Sequence, residues 1–425
     1  MQCWRRLALV TSIGTEQITG NNEITKRRDD WRLVKFGDVV NNVDISERNP
    51  LENGLERYIG LDHIDPESLH IKRWGLIEEG TSFTRKFVAG QVLFGKRRAY
   101  QRKVAIAEFD GICSGDILVF EAKNDLLPEL LPFIVQSDGF YEHALGTSAG
   151  SLSPRTRWRD LADYEFALPP KDEQRRIADI LWAVDETVKS LVEVIANLEA
   201  CEQTAIIDFV NSGSSGIIYG EYSDIQKSRN WQMVQLSKIA DISYGLTLNA
   251  TRRTLSLERP YLRVANVMRG KLDLDEVKDT GCTSEEIIKF VLQEGDVLVV
   301  EGHANIDEIG RAALWNGEVP NCLHQNHILR VRSKSKLYPE YLLAYLNSPG
   351  GRKYFKYHAK SSSGLNTINS TVLKEMPIPL PSLEQQETFV KVLQEFKSCS
   401  QLTNSHLGRT IQLKKFLLDS LLTPQ

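Results

Sequence analysis

One stretch of the sequence has the composition of a phosphate-binding site. From Arg85 to Lys103 there are seven basic residues, no acidic ones and three interleaved aromatic residues. Such a cluster attracts phosphates through counterion release, and guanidinium groups also bridge guanine O6 and N7 in the major groove of DNA. Apolar runs at 92–94 and 104–107 predict strands, so we expect a loop presented by a sheet rather than an ordinary solvated charge run. The candidate DNA-binding residues of this loop are Lys96, Arg97, Arg98, Tyr100, Arg102 and Lys103.

A second stretch carries amides and histidines where the first carries arginines. Gly295–Val299 aligns with Gly90–Phe94, but the loop that follows it is acidic and amide-bearing. A polar run at 324–327 precedes another strand-like segment, and Asn and Gln side chains can bond adenine N6 and N7. The basic residues of 352–360 could hold phosphates, with a helix packed on the core as the alternative. The candidates here are His303, Asn305, His324, Gln325, Asn326, His327, Lys356 and Lys360.

Two segments of the first half resemble catalytic motifs, and each lacks a required feature. Gly90–Lys96 matches the first seven positions of a P-loop, but Arg97 replaces the Ser or Thr that binds magnesium. Asp116, Glu121 and Lys123 mimic a metal-dependent nuclease core. Strand alternation would place those two carboxylates on opposite faces, which makes a shared metal ion awkward. The sequence therefore favours neither nucleotide binding nor nuclease chemistry.

The second half offers one metal-like group and no methyltransferase motif. Cys322, His324 and His327 have metal-ligand spacing, but the sequence shows no fourth ligand nearby, and a polar strand edge is the favoured interpretation. The run Asn347–Gly350 lacks the second proline and the aromatic residue of an amino-methyltransferase signature. We therefore predict no catalytic residue, no metal site and no cofactor bound by this chain.

Composition sets broad limits on the class of protein. The chain has 425 residues, 41% hydrophobic content and a net charge of −4, so any DNA contact must come from local patches. No apolar run approaches the roughly 20 residues of a membrane span, and the six cysteines form no CxxC pair. These features predict a cytoplasmic protein with reduced thiols and without membrane contact.

A repeated motif indicates that the chain is a duplicated unit. Leu168–Gln174 (LPPKDEQ) and Leu380–Gln386 (LPSLEQQ) lie 212 residues apart, and each opens a heptad-patterned segment. The second copy shifts the glutamate by one position, which leaves the capping of its helix open. The predicted organisation is an N-terminal arm (1–30), two recognition domains (31–167 and 231–379), a central helix (168–212), a linker (213–230) and a C-terminal helix (380–425).

The seam of a coiled coil is the row of positions that face the partner helix. The two predicted helices differ in how many of these positions are apolar. The first carries apolar residues with coiled-coil spacing, interrupted by Glu202, and at about 1.5 Å per residue it would span on the order of 60 Å. In the second, polar residues occupy four seam positions, either to fix register or because that face meets a partner or solvent. Packing the two helices against each other is the economical arrangement, since neither would be stable alone. The four polar positions are Ser400, Thr403, Thr410 and Lys414.

Several of these motifs carry a family resemblance. The two Leu-Pro helix entries, the stretch 95–120 and, in the second half, the segments 261–267, 310–317 and 324–327 resemble the specificity subunit of type I restriction-modification systems. The resemblance covers about residues 31 to 425. It implies an α+β fold in which two α/β target recognition domains are separated by two conserved helices, packed as an antiparallel coiled coil with a pseudo-two-fold duplication.

The resemblance also implies function and partners. Each recognition domain would read one half of a split double-stranded DNA site, and the helices would set the spacer and dock two methyltransferase subunits, which restriction/translocase subunits join. An approximate two-fold would place the half-sites roughly one helical turn, about 34 Å, apart. S-adenosylmethionine, ATP and magnesium would belong to the partner subunits.

Two alternatives remain open at the level of sequence. A stand-alone endonuclease built on Asp116, Glu121 and Lys123 predicts magnesium-dependent cutting by the purified chain, lost in Asp116→Ala. A non-DNA scaffold predicts salt-insensitive partner binding with no measurable DNA affinity in the assembled complex.

Overall fold

The structure is a computed structural model that describes residues 30–150, 153–212, 231–362 and 364–422. One compact unit contains the described residues up to Leu191 together with those from His406 onward, and a second contains Val192–Ser405. The predicted linker and all but Asp30 of the predicted arm lie outside the described residues. Within the described ranges, no helix has the length and apolar character needed to cross a membrane.

The first unit alternates short strands with short helices before one long helix begins. Its strands are β1 (Arg32–Lys35), β2 (Val40–Val43), β3 (Arg57–Ile59), β4 (Gly75–Leu76), β5 (Arg85–Phe87), β6 (Val92–Gly95), β7 (Val104–Ile106), β8 (Gly111–Cys113), β9 (Ile117–Ala122) and β10 (Glu165–Leu168). Its helices are α1 (Phe36–Val39), α2 (Leu131–Gln136), α3 (Asp138–Gly146), α4 (Trp158–Ala162) and the start of α5 (Lys171–Ser212).

A four-stranded antiparallel sheet of order β2-β9-β6-β7 forms the centre of this unit. Its middle strands are apolar on both faces because core clusters cover both sides. Phe94 and Phe120 enter one cluster, whereas Leu93 and Val119, one residue earlier in each strand, enter another. The pairing of β6 with β7 confirms the strands predicted on either side of the basic loop.

The second unit is built from a matching series of elements. Its strands are β11 (Gln232–Gln235), β12 (Ala240–Tyr244), β13 (Leu257–Leu262), β14 (Lys278–Cys282), β15 (Asp296–Val300), β16 (Gly302–His303), β17 (Ala312–Leu314), β18 (Leu323–His324), β19 (Ile328–Ser333), β20 (Lys360–Ser362), β21 (Leu365–Thr367) and β22 (Pro377–Leu380). Its helices are α6 (Leu236–Ile239), α7 (Ser284–Phe290), α8 (Pro339–Asn347), α9 (Pro349–His358), α10 (Ser370–Glu375) and most of α11 (Leu383–Leu422).

The sheets confirm the internal duplication. The central sheet of the second unit has the order β12-β19-β15-β17, in which each strand is the chain-order counterpart of one in β2-β9-β6-β7. A two-stranded antiparallel sheet leads into each long helix, β1 with β10 and β11 with β22. A short parallel pair also recurs, β3 with β8 and β13 with β18. The fold class predicted for the two recognition domains is therefore confirmed.

Each long helix begins at a buried glutamine that ties it to its own unit. Gln174 accepts from the Leu127 N–H at 2.8 Å, and Gln386 accepts from the Tyr338 N–H at 2.9 Å. Each amide also donates to the carbonyl of the proline five residues earlier, at 2.8 Å and 3.0 Å. Both side chains are at most 1% exposed, so the amides depend on these backbone partners in place of water.

The second helix entry replaces a proline by a capping box. Ser382 Oγ accepts from the Gln385 N–H at 3.2 Å, and Gln385 Oε1 accepts from the Ser382 N–H at 3.1 Å. This reciprocal pair satisfies two free donors at the start of α11. The shifted glutamate of this entry is thus compatible with a properly capped helix.

The helices α5 and α11 pack antiparallel in both units. In the first unit, Leu181 near the start of α5 shares a core cluster with Leu418 near the end of α11. In the second, Phe209 near the end of α5 stacks on Phe389 near the start of α11, with ring centroids 4.1 Å apart. The predicted coiled coil is therefore confirmed in each unit. Among the polar seam positions Lys414 is buried, whereas Ser400, Thr403 and Thr410 are half-buried.

Candidate nucleic-acid interface

The basic loop of the first unit, residues 96–103, has a fixed backbone. It contains a short 3-10 turn, Ala99–Gln101, whose flanking residues Arg98 and Arg102 have positive φ angles of 56° and 51°. Such a conformation costs a non-glycine residue about 1–3 kcal/mol and persists where surrounding contacts enforce it. The Ala99 side chain, 1% exposed, anchors the turn in the core. The loop therefore presents its side chains from a defined geometry.

Asp116 holds two arginines at the edge of this loop. Arg155 Nε donates to Asp116 Oδ1 at 2.9 Å, and Arg97 Nη1 lies 3.4 Å from Oδ2. Burial raises the pKa of Asp116, but hydrogen bonds and charge from Arg155 and Arg97 outweigh that effect and lower the pKa below its usual value. The carboxylate is therefore ionised at neutral pH, and it orients both guanidinium groups.

Arg155 belongs to a third segment, residues 147–150 and 153–157, in which Ala149 and Arg155 form an antiparallel bridge; we call it the hairpin loop, and we did not predict it. The Arg98 N–H donates to the Pro154 carbonyl at 2.8 Å, so this hairpin loop packs directly against the basic loop. Arg155, Arg157 and Arg159 are exposed. Arginine at alternate positions in the sequence SPRTRWR is the signal that could have identified it.

The predicted DNA-binding residues of the basic loop differ in solvent exposure. Tyr100 is 55% exposed, and Arg97 and Arg98 are half-buried at the surface. Lys96 is half-buried as well, and burial lowers its pKa. These four residues remain candidates for direct contact with DNA.

The other two predicted residues of the loop face inward. Arg102 donates to the Gln136 carbonyl at 2.9 Å, and its guanidinium lies 4.4 Å from the centroid of the Tyr141 ring. Lys103 donates to the Leu61 carbonyl at 2.5 Å. Arg102 and Lys103 thus support the loop rather than extend from it.

The second unit assembles the same three segments in the same way. The Glu301 N–H donates to the His327 carbonyl, as the Lys96 N–H donates to the Asp116 carbonyl, both at 3.0 Å. The Glu301 carbonyl then accepts from the Ile368 N–H at 2.9 Å, and the Lys96 carbonyl accepts an equivalent bond from the first hairpin loop. The structural counterparts are therefore the loop 301–308, the turn 325–327 and the hairpin of β20 and β21, which Ile368 follows directly.

The side chains of loop 301–308 mostly stabilise the loop itself. His303 Nδ1 accepts from the Asn305 N–H at 3.0 Å, and Asn305 Oδ1 accepts from the Asp307 N–H at 2.9 Å. Lys356, on α9, forms an ion pair with Asp307, which lowers the pKa of that carboxyl. Lys360 is exposed at the start of the hairpin. The structure thus brings His303, Asn305 and Lys356 together around one short loop.

The polar run at 324–327 divides into exposed and buried parts. Gln325 and Asn326 are half-buried at the turn between β18 and β19, and His327 is exposed with Nδ1 2.8 Å from Glu301 Oε2. His324, in contrast, is 0% exposed and donates from Nδ1 to the Phe290 carbonyl at 3.0 Å. Burial lowers the pKa of His324 to about 4, so it is neutral in the core. We therefore withdraw His324 from the DNA-contacting set.

The turn that includes Gln325 has a counterpart in the first unit that we missed. The Ser114 N–H donates to the Ile59 carbonyl at 2.9 Å, as the Gln325 N–H donates to the Leu262 carbonyl at the same distance. Ser114–Asp116 therefore corresponds to 325–327. A cleft of about 390 Å³ lies beside it, between the turn and β5. Its lining is polar except for Phe83 and Gly115 and contains Asp44, Ser46, Ser82, Thr84, Arg85, Ser114 and Asp116.

The residues that resembled catalytic groups have structural roles in the fold. Asp116 binds two arginines, and Lys123 Nζ donates to the Gly37 carbonyl at 2.6 Å, so neither is poised around a shared metal ion. Residues 92–95 are a buried strand and cannot form a phosphate cradle. Burial raises the pKa of Cys322 to about 12, which disfavours the thiolate that a metal would need. Among the described residues, no group of three or more His, Cys, Asp or Glu side chains could hold a metal ion.

Two similarly built α+β units, each with a polar three-segment edge and each containing part of both long helices, define an internally duplicated α+β protein. The family described as type I restriction modification DNA specificity domain matches residues 28–200 and 228–413. The chain belongs to that family.

Individual relatives resemble the chain over different lengths. The putative type I restriction enzyme MjaX specificity subunit of Methanocaldococcus jannaschii is 32% identical over 46% of this chain and 46% of its own length. The EcoKI specificity subunit of Escherichia coli K12 is 24% identical over 69% of this chain and 66% of its own. The chain thus spans about half to two thirds of these two relatives. The MjaVIII specificity subunit of M. jannaschii is 22% identical over 93% of this chain and 92% of its own.

Solved structures share the fold. A chain from a structure on complex assembly and conformational transition of the type I R-M system has a TM-score of 0.57 and 21% identity, covering 93% of this chain and 98% of that one. The type I restriction-modification S subunit from M. genitalium has a TM-score of 0.55 and 14% identity, covering 93% of this chain and 96% of that one.

Proposed function

We propose that this chain is the DNA specificity subunit of a type I restriction-modification complex, with one half of a bipartite target read by each unit. The observation that carries the proposal is the repeated polar edge, built from the same backbone hydrogen bonds in both units but bearing different side chains. Because backbone contacts fix the frame, side-chain chemistry is free to differ between the units. Two edges that share a backbone frame but carry different side chains suit a DNA target whose two halves differ in sequence.

The two edges favour different DNA contacts. The first carries Arg97, Arg98 and Arg155 around an ionised Asp116, an arrangement suited to phosphates and to guanine O6 and N7. The second carries Gln325 and Asn326 at a surface turn, which suits adenine N6 and N7. Exposed Lys360, and Lys356 once released from Asp307, would bind phosphates. His303 and Asn305 would act mainly by shaping their loop.

The remaining parts of the complex would bind along the helices. We propose that two methyltransferase subunits dock on α5 and α11 and that restriction/translocase subunits join them, supplying the S-adenosylmethionine, ATP and magnesium chemistry. Exposed apolar side chains on α11, Leu413 at 47% and Phe416 at 65%, one helical turn apart, support a protein partner on that helix. The chain itself would contribute recognition without catalysis, in the cytoplasm. Engagement of Asp116 and Lys123 elsewhere weighs against the stand-alone endonuclease.

Methylome sequencing tests this assignment. A host carrying the chain with its methyltransferase should methylate one bipartite motif. Arg97→Ala with Arg98→Ala should relax or abolish one half-site only, and Gln325→Ala with Asn326→Ala should affect the other half-site alone. Arg32→Ala removes the same type of charge from an exposed position on β1, outside both edges and both long helices, and should leave the motif unchanged.

Three outcomes would contradict the assignment. An unchanged motif in both double variants would remove the edges from DNA recognition. Magnesium-dependent cutting by the purified chain, lost in Asp116→Ala, would instead support the endonuclease. Salt-insensitive partner binding without DNA affinity in the assembled complex would support the scaffold.

A further inference from the structure

The seam between α5 and α11 contains one fully formed buried ion pair. Lys414 Nζ, on α11, lies 2.6 Å from Asp185 Oδ1, on α5, and the two residues are 8% and 4% exposed. His70 Nε2 lies 2.8 Å from the other oxygen of Asp185. Buried charges are costly unless paired, so removal of either Asp185 or Lys414 would leave an uncompensated charge between the helices.

The repeat-related positions in the second unit also carry one acidic and one basic residue, of which the base, Lys397, is exposed. Positions 212 residues apart are equivalent in the duplicated helices, so Lys397 corresponds to Asp185 and Glu202 corresponds to Lys414. Glu202 is half-buried, and burial and Glu199 raise its pKa while the nearby charge of Lys397 lowers it. The acid is again on α5 and the base is again on α11.

Between equivalent positions 212 residues apart, Asp185 and Lys397 differ in the sign of their charge, and so do Glu202 and Lys414. Three other pairs of equivalent positions, all buried, show no such reversal. Ile177 and Phe389 are buried apolar residues 212 positions apart, as are Ile206 and Leu418. The entry glutamine is also the same in both helices. At these three pairs of positions the duplication therefore preserves apolar or amide chemistry, whereas at the two charged pairs it reverses the sign of the charge.

We propose that these charges specify which helix pairs with which: α5, carrying Asp185 and Glu202, pairs with α11, carrying Lys397 and Lys414, and is prevented from pairing with α5 of a second copy. In an antiparallel α5–α5 pair, Asp185 would face Glu202 of the other chain, and in an α11–α11 pair Lys397 would face Lys414. Like charges facing each other at the seam reject such pairs, as polar seam residues do in coiled coils. This inference does not depend on DNA recognition.

Charge reversal in full-length chains tests the proposal. One variant carries Asp185→Lys and Glu202→Lys, which makes both helices basic at these positions, and the other carries Lys397→Glu and Lys414→Glu, which makes both acidic. Every chain also carries His70→Gln, so that His70 does not oppose the new lysine. Two affinity tags distinguish the chains during co-expression.

When the two two-reversal variants are co-expressed, they should form a complex of twice the 48.2 kDa chain mass. In that complex each long helix pairs with a helix of opposite charge from the other chain. We expect co-purification of the two tags to rise at least about tenfold over a tagged pair of His70→Gln chains without the reversals. A single chain with all four reversals should again pair internally and return to that baseline.

Two outcomes would overturn the proposal. One is co-purification at the baseline level while each charge variant is soluble by itself. The other is a four-reversal chain that is less soluble or less thermally stable than the two-reversal chains, because the sign pattern would then not be what matters. Each two-reversal chain could be insoluble when it is expressed alone. In that case, recovery of soluble protein on co-expression of the two chains supports the proposal. Failure to recover soluble protein, while the four-reversal chain is soluble, refutes it.

Discussion

The buried amide of Gln174 should stabilise the first unit far more than an ordinary side chain on the same helix. Replacing it with leucine keeps the approximate size but leaves its three backbone partners unsatisfied. The bond to the Pro169 carbonyl is buried and Leu127 is half-buried, whereas Asp125, whose carbonyl is the third partner, is exposed enough for water to replace the bond. At about 1–3 kcal/mol for each of the two groups that stay unsatisfied, Gln174→Leu should cost roughly 2–6 kcal/mol.

Amide hydrogen exchange both measures the loss of stability in Gln174→Leu and shows where in the chain it occurs. Protection of the Leu127 N–H should fall in Gln174→Leu, while protection of the Tyr338 N–H should remain, since Gln386 holds that group in the second unit. Gln386→Leu should give the reverse pattern. Gln412→Leu, at an exposed position of α11, is the matched control and should change stability by less than about 0.5 kcal/mol. Unchanged Leu127 protection, or equal losses for Gln174→Leu and the control, would refute the reasoning.

The remaining predictions concern pH and helix length. The hydrogen bond from Asp185 is the largest cause of a raised pKa at His70, so the protonated ring stabilises the folded unit below the unfolded pKa of about 6.5, and this contribution disappears as pH rises through the folded pKa. Between pH 6 and pH 9 the native chain should therefore lose more thermal stability than His70→Gln; parallel curves would contradict this. Inserting about one helical turn into 172–211 should change the spacer in the methylome motif and neither half-site, and altered half-sites would contradict the ruler hypothesis.

Local patterns were sufficient to predict the strands beside the two edges and the two long helices. The apolar runs at 92–94 and 328–331 form the buried strands β6 and β19, and the proline-led entries open α5 and α11. Strong periodicity and repeated helix signals are properties of neighbouring residues, so a single sequence records them. The duplication is equally visible in the sequence, because the two Leu-Pro entries are similar in their own residues and need no distant partner to be recognised.

The direction of individual side chains depended on distant partners and could not be predicted. Arg102 and Arg98 belong to the same basic run in sequence, yet Arg102 alone of the two contacts the carbonyl of Gln136 and the ring of Tyr141. His324 is buried because β18 pairs with β13, far away in the chain. Lys414 interrupts an apolar seam in sequence and is stabilised by Asp185, 229 residues earlier.

The backbone hydrogen bonds of the two edges explain how the units can differ in chemistry without differing in fold. Lys96 and Glu301 occupy equivalent positions and have opposite charges, yet each uses its N–H and its carbonyl to join the same two neighbouring segments. A frame held by groups that every non-proline residue possesses does not restrict the side chain. The seam charges of the helices follow the opposite rule, because there the side chains themselves make the contact. Variation at the edges would therefore change the DNA target, whereas variation at Asp185 or Lys414 would change which helices pair.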